Sequence, residues 1–207
     1  MDTLAKELGR ESDRGLVLIA AAFLEENLAM LLRSLMRKGG KKLEENVLKP
    51  LFRSDGPLGS FAGKIRICYA MELIDEVTYK DLEIVRDIRN DFAHTYSEAN
   101  FTTGAAKNRI GNMRYDELLT RLIPTQSDVY FQFDRDGKTK IRVTEERRKF
   151  LIAFIMLSAT LEGAVREFRK RQDAKYPQTA LQGARANDHG CHVSCSEQHE
   201  PRQPRSW

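Results

Sequence analysis

Long segments in which apolar residues recur every three to four positions constrain the fold of this chain most. One runs from Ser12 to Lys38 and another from Thr144 to about Arg171. This spacing gathers apolar side chains on one side of an α-helix. Ser12 or Asp13 and Thr144 are suitable N-caps, because their side-chain oxygens can accept hydrogen bonds from the N–H groups of the first turn. We therefore predict two long helices within a mainly α-helical fold.

Shorter helices and one hairpin are predicted between these segments. Two runs of alternating apolar and polar residues flank the sequence Asp-Arg-Asp-Gly at 134–137, which is typical of a β-hairpin. We predict a bundle of about five to seven helices with one small hairpin. The shorter helices should cover Lys41 to Leu48, stopped by Pro50, a segment from Ser60 or Leu58 to about Leu73, Thr78 to Tyr96, and Tyr115 to Ile123. The strands should cover Val129 to Phe133 and Lys140 to Val143.

The end of the chain differs from the rest. Residues 173–207 hold three of the six prolines and show no apolar periodicity. We predict a helical domain over residues 1–172 and a disordered tail over residues 173–207. The net charge of +4 belongs to the first part, since the tail carries four basic and four acidic residues. An excess this small does not indicate nucleic-acid binding.

The sequence also bears on location and cofactors. The longest apolar run, Leu16 to Leu24, is shorter than the roughly 20 residues that span a membrane. The first ten residues are polar, unlike a signal peptide, so we expect a cytoplasmic protein without membrane contact. We expect no cofactor and no metal site. The tail has metal-capable side chains at a spacing that matches no zinc pattern: His189, Cys191, His192, Cys195 and His199.

Polar residues are concentrated in the predicted helix that contains Asp81 to Tyr96. Arg86, Asn90 and His94 follow one another at four-residue steps and share a face, whereas Arg89 lies about 140° from His94 on an ideal helix. Arginine can hold a phosphate and histidine can act as a general acid or base. The cluster is therefore a candidate binding site, or a site of phosphodiester chemistry.

A structural role is the alternative for the same residues. The arginines and Asn90 would then bond the carbonyl groups of a neighbouring helix end or pair with a carboxylate such as Glu25 or Glu26. His94 would stabilise the end of its own helix. Arg89 adjoins the apolar stripe, so it is expected to be buried in a monomer.

Two further stretches are candidate binding sites on chemistry alone. Asp13 and Arg14 could meet a partner or ligand at the start of the first helix, although capping and a salt bridge explain them as well. A basic run near the end of the last helix could contact nucleic acid, but cations are also expected at such a position. That run consists of Arg166, Arg169, Lys170 and Arg171.

Four stretches together resemble the mannitol operon repressor family: residues 11–15, Leu-Glu-Glu at 24–26, residues 51–64 with Gly-Pro-Leu-Gly-Ser-Phe-Ala-Gly-Lys, and Ile-Arg-Asn-Asp-Phe-Ala-His at 88–94. The resemblance covers roughly residues 10–172. It implies a helical, often oligomeric protein that regulates transcription of genes for mannitol uptake and use. It implies no familiar DNA-reading motif, so we expect a non-enzymatic regulator that acts through a protein partner and forms a homodimer. Direct DNA binding stays open.

A shorter pattern is similar to HEPN domains (higher eukaryotes and prokaryotes nucleotide-binding). These helical, dimeric domains often carry Arg, a polar residue, three further positions and then His, as Arg89, Asn90 and His94 do. In that superfamily the pair can cleave RNA across a dimer interface. The alternative expectation is thus an RNA-binding or ribonuclease module in which Arg89, Asn90 and His94 form the catalytic site.

Overall fold

Helices make up most of the described chain, as the apolar spacing predicted. The computed structural model describes residues 8, 11–36, 39–94, 99–102, 104–115, 130–132 and 140–175. In chain order the elements are α1 (Asp13–Leu35), α2 (Lys41–Leu43), a π-helical turn (Glu44–Leu48), α3 (Lys49–Phe52), α4 (Phe61–Ala70), α5 (Glu76–His94), α6 (Gly104–Gly111), β1 (Tyr130–Gln132), β2 (Lys140–Arg142) and α7 (Glu145–Lys175).

The chain divides into two units, residues 1–169 and residues 170–207. Of the second unit the structure describes only residues 170–175, which continue α7. The predicted boundary after residue 172 stays a prediction, and the predicted disordered tail lies outside the described residues from 176 onward.

Side-chain caps set the starts of two helices. The Ser12 hydroxyl accepts a hydrogen bond from the Gly15 N–H at 3.1 Å, and the Ser60 hydroxyl accepts one from the Gly63 N–H at 3.0 Å. Both satisfy first-turn donors that have no partner within the helix. The Ser12 and Ser60 starts were therefore predicted correctly, whereas α4 ends at Ala70 rather than at Leu73.

The prediction that Pro50 stops a helix is wrong. The backbone stays helical through α2, the π-helical turn and α3, and it ends only at Phe52. Pro50 lies in the first turn of α3. Because the helix is continuous here, the π-helical turn directly before Pro50 has to accommodate the proline ring and its missing N–H.

Aromatic rings from three elements pack around α7. Phe101 contacts Phe92 of α5 and Phe150 of α7, with ring centroids 5.6 Å and 5.1 Å apart. Phe23 of α1 meets Phe154 of α7 edge-on at 5.8 Å. Phe150 and Phe154 are buried, so this part of α7 belongs to the core.

α1 is a core helix with one open side. It packs against α4 and α5. By length and composition it could cross a membrane, but more than half of its most apolar window is buried inside the protein. On the open side, Leu18 and Ile19 are 37% and 38% exposed. The cytoplasmic location stays a prediction.

Two short strands precede α7. β1 and β2 are antiparallel, with Phe131 opposite Ile141. The pairing is limited to three residues on each strand, and residues 133–139, where the turn was predicted, lie outside the described residues. The hairpin as a packed element therefore stays a prediction. The helix predicted from Tyr115 to Ile123 also lies outside them after Tyr115.

Candidate functional site

The helix α5 carries the polar cluster that the sequence singled out. Its buried apolar residues are Leu82, Val85, Ile88 and Phe92, and Thr78 and Asp81 are buried beside them. Because these residues hold α5 against the core, the candidate residues Arg86, Arg89, Asn90 and His94 lie at partly buried or exposed positions of the helix. The candidate residues are thus presented by a rigid element.

Arg86 is held by two carboxylates of its own helix. It donates to Glu83 at 2.7 Å and to Asp87 at 3.2 and 2.6 Å. Burial opposes the charged guanidinium, but the Asp87 hydrogen bond and the Glu83 charge outweigh it and raise the pKa of Arg86. The expected partners Glu25 and Glu26 were wrong for this arginine.

Arg89 and His94 are both exposed, so Arg89 is not the buried residue that was expected. Arg89 donates to the Asn90 side-chain oxygen at 3.1 Å. α5 stays helical through His94. Within one chain the 140° separation on the helix is therefore maintained, and Arg89 and His94 point to different sides.

Asp13 holds three parts of the chain together. One carboxylate oxygen accepts from Arg147 at 2.5 Å, and the other accepts from the Phe101 N–H at 2.9 Å. Arg147 also donates to the carbonyl oxygens of Leu8 and Glu11. This geometry gives Asp13 a structural function, and Arg14, the next residue of α1, is partly buried.

Asp81 is fully buried and anchors the segment after α6. Its carboxylate accepts from the Arg114 N–H at 3.0 and 3.2 Å and from the Tyr115 N–H at 3.0 Å. Desolvation raises the pKa of Asp81, and the two backbone hydrogen bonds oppose that rise. α5 begins at Glu76 rather than at the predicted Thr78, so Asp81 lies within the helix.

An exposed aromatic group lies where α4 meets α5. The rings of Tyr69 and Tyr79 stack with centroids 4.4 Å apart. Tyr69 is 40% exposed and Met71, just after α4, is 53% exposed. We call Tyr69, Met71 and Tyr79 the aromatic corner. Exposed acidic residues surround it in sequence: Glu72, Asp75 and Glu76.

A polar pocket lies between α1 and the segment that joins α3 to α4. Its volume is about 440 Å³, and its lining includes Glu25, Glu26, Arg33, Phe52, Ser54 and Lys64. Lys64 is only 4% exposed and donates to Glu25 at 2.7 Å and to the Gly59 carbonyl at 3.1 Å.

The sequence did not single out this pocket, although it contained a signal. Lys64 follows Phe61 by three positions and precedes Cys68 by four, so it lies on the buried stripe of α4. A lysine at such a position must find an acceptor in the fold. Glu25 and Lys64 also belong to two of the stretches that carry the family resemblance.

The described part of the chain contains few other reactive groups. Within the described ranges there is no group of three or more His, Cys, Asp or Glu side chains that could hold a metal ion. The tail residues 189–199 lie outside those ranges. Burial raises the pKa of the Cys68 thiol to about 12, so it stays protonated and unreactive at neutral pH. The basic run at 166–171 is exposed on α7.

Comparison with known proteins gives consistent relationships. The family model described as mannitol repressor matches residues 4–166. Mannitol operon repressors of Escherichia coli strains K12 and O6:H1 are 28% identical over 89 residues, which is 43% of this chain and 45% of each relative. The matched segment thus spans a little less than half the length of these curated relatives.

Two solved structures share the fold. The X-ray structure of the MtlR–HPr complex from Escherichia coli matches with a TM-score of 0.50 and 16% identity, over 81% of this chain and 99% of that chain. A possible transcriptional regulator, YggD from Shigella flexneri 2a, matches with a TM-score of 0.52 and 18% identity, over 81% of this chain and 98% of that chain.

Proposed function

Because the chain belongs to the mannitol repressor family, we propose that it regulates transcription of genes for sugar-alcohol use, and that it does so by binding a protein partner. The similar Escherichia coli protein was crystallised in a complex with HPr. The HPr protein of the organism that makes this chain is therefore the partner that we propose.

The observation that carries this proposal is the aromatic corner. Tyrosine and methionine are enriched in the centres of protein interfaces, where they bury much apolar area. Tyr69 and Tyr79 are already stacked at 4.4 Å, so a partner would find their rings in place. Ordering them on binding would then cost little conformational entropy.

The acidic residues near the corner indicate the charge of the partner. Glu72, Asp75 and Glu76 are exposed, and of these Glu76 pairs with Lys80. A partner surface with an apolar centre and basic residues around it would be complementary. Such complementarity increases the association rate and lowers affinity for acidic competitors.

Titration calorimetry with purified HPr tests the partner. We expect Tyr69→Ala and Met71→Ala each to weaken binding by roughly five-fold or more, since truncating an interface centre costs more than about 1 kcal/mol. Val47→Ala is the control, because Val47 is 46% exposed but lies on the π-helical turn. Binding that is equal in all variants would exclude this surface.

The regulatory part needs a test in cells. Deleting the gene should change transcript levels from the mannitol operon, and a gel shift on the mannitol promoter should show whether the protein contacts DNA itself. Unchanged transcripts together with no binding to HPr would refute the proposal.

RNA cleavage is the second candidate function. It is supported by the exposure of Arg89 and His94, which leaves both side chains accessible to a substrate. Since they point to different sides of one helix, a second chain would have to supply the arginine that faces His94. Arg89→Ala and His94→Ala should then each abolish cleavage of RNA without loss of stability. Intact RNA after incubation with the wild-type protein would exclude it.

A further inference from the structure

The pocket between α1 and the α3–α4 connection is the strongest unassigned feature of the described chain. Its volume of about 440 Å³ lies within the range of small-molecule sites. Its lining is rich in polar groups, and Phe52 adds one aromatic face. A pocket of this size and polarity suits a small hydrophilic ligand.

The ammonium group of Lys64 has one N–H left for such a ligand. Two of its three donors are used by Glu25 and by the Gly59 carbonyl. Among the residues that the structure describes, no third acceptor binds the Lys64 ammonium group. The Glu25 carboxylate also has acceptor sites beyond the one that Lys64 occupies. The buried pair thus offers a donor and an acceptor side by side.

The walls of the pocket are fixed before any ligand binds. The Arg33 guanidinium lies 4.3 Å from the centre of the Phe52 ring and pairs with Glu44 at 3.0 Å. In the connecting segment, a Cβ on Gly59 would come within 2.1 Å of the Arg53 carbonyl oxygen. Only glycine permits this close approach of two backbone segments. The site is therefore preorganised, which lowers the entropy cost of binding.

The charges of the lining decide the class of ligand. Glu25 and Glu26 are acidic, while Arg33 and Lys64 are basic, so these four side chains sum to zero. An anion would be opposed by two carboxylates, and a cation by two basic groups. A hydroxyl group both donates and accepts, and it can therefore satisfy either kind of side chain.

We propose that this pocket binds a neutral, polyhydroxylated small molecule. Its hydroxyl groups would bond the Lys64 ammonium and the Glu25 carboxylate, and its C–H groups would lie against Phe52. The choice of a linear sugar alcohol as the probe rests on the proposed regulatory function, whereas the ligand class rests on the lining of the pocket.

Titration calorimetry of the full chain with mannitol and with glucitol tests the proposal, and mannitol 1-phosphate serves as the charged comparison. We expect the neutral sugar alcohols to bind and the phosphate ester to bind more weakly. Lys64→Met should weaken binding by roughly ten-fold, the size expected for one lost hydrogen bond to a charged group.

A second variant protects the test against misfolding. Ala22 lines the pocket and is exposed, so Ala22→Leu fills the space without removing a hydrogen bond. It should abolish binding of the sugar alcohol while leaving the melting temperature unchanged. Ala105→Leu, at an exposed position of α6, is the matched control and should bind like the wild type.

The outcomes separate this inference from the proposed function. No binding of either sugar alcohol to the folded wild type, tighter binding of the phosphate ester, or full binding by Ala22→Leu would overturn it. Each of these results leaves the HPr titration unaffected. Conversely, a titration that shows no binding of HPr would not affect the proposal that this pocket binds a sugar alcohol.

Discussion

At the scale of single residues, burial decides more than residue type which partners a charged side chain binds. Arg89 is exposed and donates to its neighbour Asn90, whereas Lys64 is buried and donates to Glu25, which is distant in sequence. Asp81 of α5 is a charged residue with no exposed surface. Among the described residues, its carboxylate is the acidic group that lies in the core.

The pKa of Asp81 gives a prediction about acid stability. A folded-state pKa above the ordinary 3.8 means that the folded protein holds this proton more tightly than the unfolded chain. The stabilising contribution of protonated Asp81 is fully present below the unfolded pKa and is lost as pH rises through the folded pKa. Acidification from pH 7 toward pH 4 should therefore favour the wild type over Asp81→Asn.

Urea unfolding of both proteins across this pH range measures the effect. Glu76 and Glu145 have lowered pKa values from their bonds to Lys80 and Arg148, so their contributions are lost as pH falls. Both proteins contain them, and they cancel in the difference. Free energies of unfolding that run parallel with pH would show that Asp81 titrates normally.

At the scale of elements, the turn between α4 and α5 contains a residue with a strained backbone, and one substitution can relieve that strain. The Leu73 N–H donates to the Cys68 carbonyl and the Glu72 N–H to the Tyr69 carbonyl, each at 2.9 Å, which defines a Schellman ending of α4. Glu72 occupies its left-handed position with φ of 56°. Glycine is the residue that adopts this conformation without a Cβ penalty.

We expect Glu72→Gly to raise the free energy of unfolding by about 1 kcal/mol, because a left-handed conformation costs a side-chain-bearing residue that much. Glu72 is exposed, so removing its side chain sacrifices no buried contact. Glu72→Ala keeps the Cβ and should give no gain. Chemical denaturation compares the three proteins, and equal stability of the glycine and alanine variants would contradict the explanation.

At the scale of the whole molecule, one arginine joins segments that are far apart in the chain. Arg147, at the start of α7, binds Asp13 at the start of α1 across 134 positions, and it also binds the Leu8 and Glu11 carbonyls. Asp13 in turn holds Phe101, whose ring stacks on Phe150. The aromatic core and this ion pair therefore support each other.

Arg147→Ala should destabilise the protein by about 2 kcal/mol, since it leaves a largely buried carboxylate and two carbonyl groups without their donor. Lys80→Ala removes an exposed pair with Glu76 within α5 and should change stability much less, because solvent screens such a pair. Thermal and urea unfolding of both variants measure the difference. Similar losses in the two variants would show that Arg147 contributes no more than a surface pair.

The sequence by itself determined the helical class and several helix starts. Ser12 and Ser60 cap helices through contacts three residues away, and the stripe of α5 follows from its spacing. These features are local, so propensity and periodicity suffice to predict them. The stretches that carry the family resemblance are likewise read directly from the chain.

Only the tertiary structure decided the partners of the buried charged residues. Lys64 meets Glu25 across 39 positions, and Asp81 meets the Arg114 and Tyr115 amides across more than 30. Such pairings depend on which helices become neighbours, and that choice is made collectively by the packing of the whole core. For the same reason the pocket and the aromatic corner emerged from the fold, while the exposed Arg89 overturned an expectation based on one helix alone.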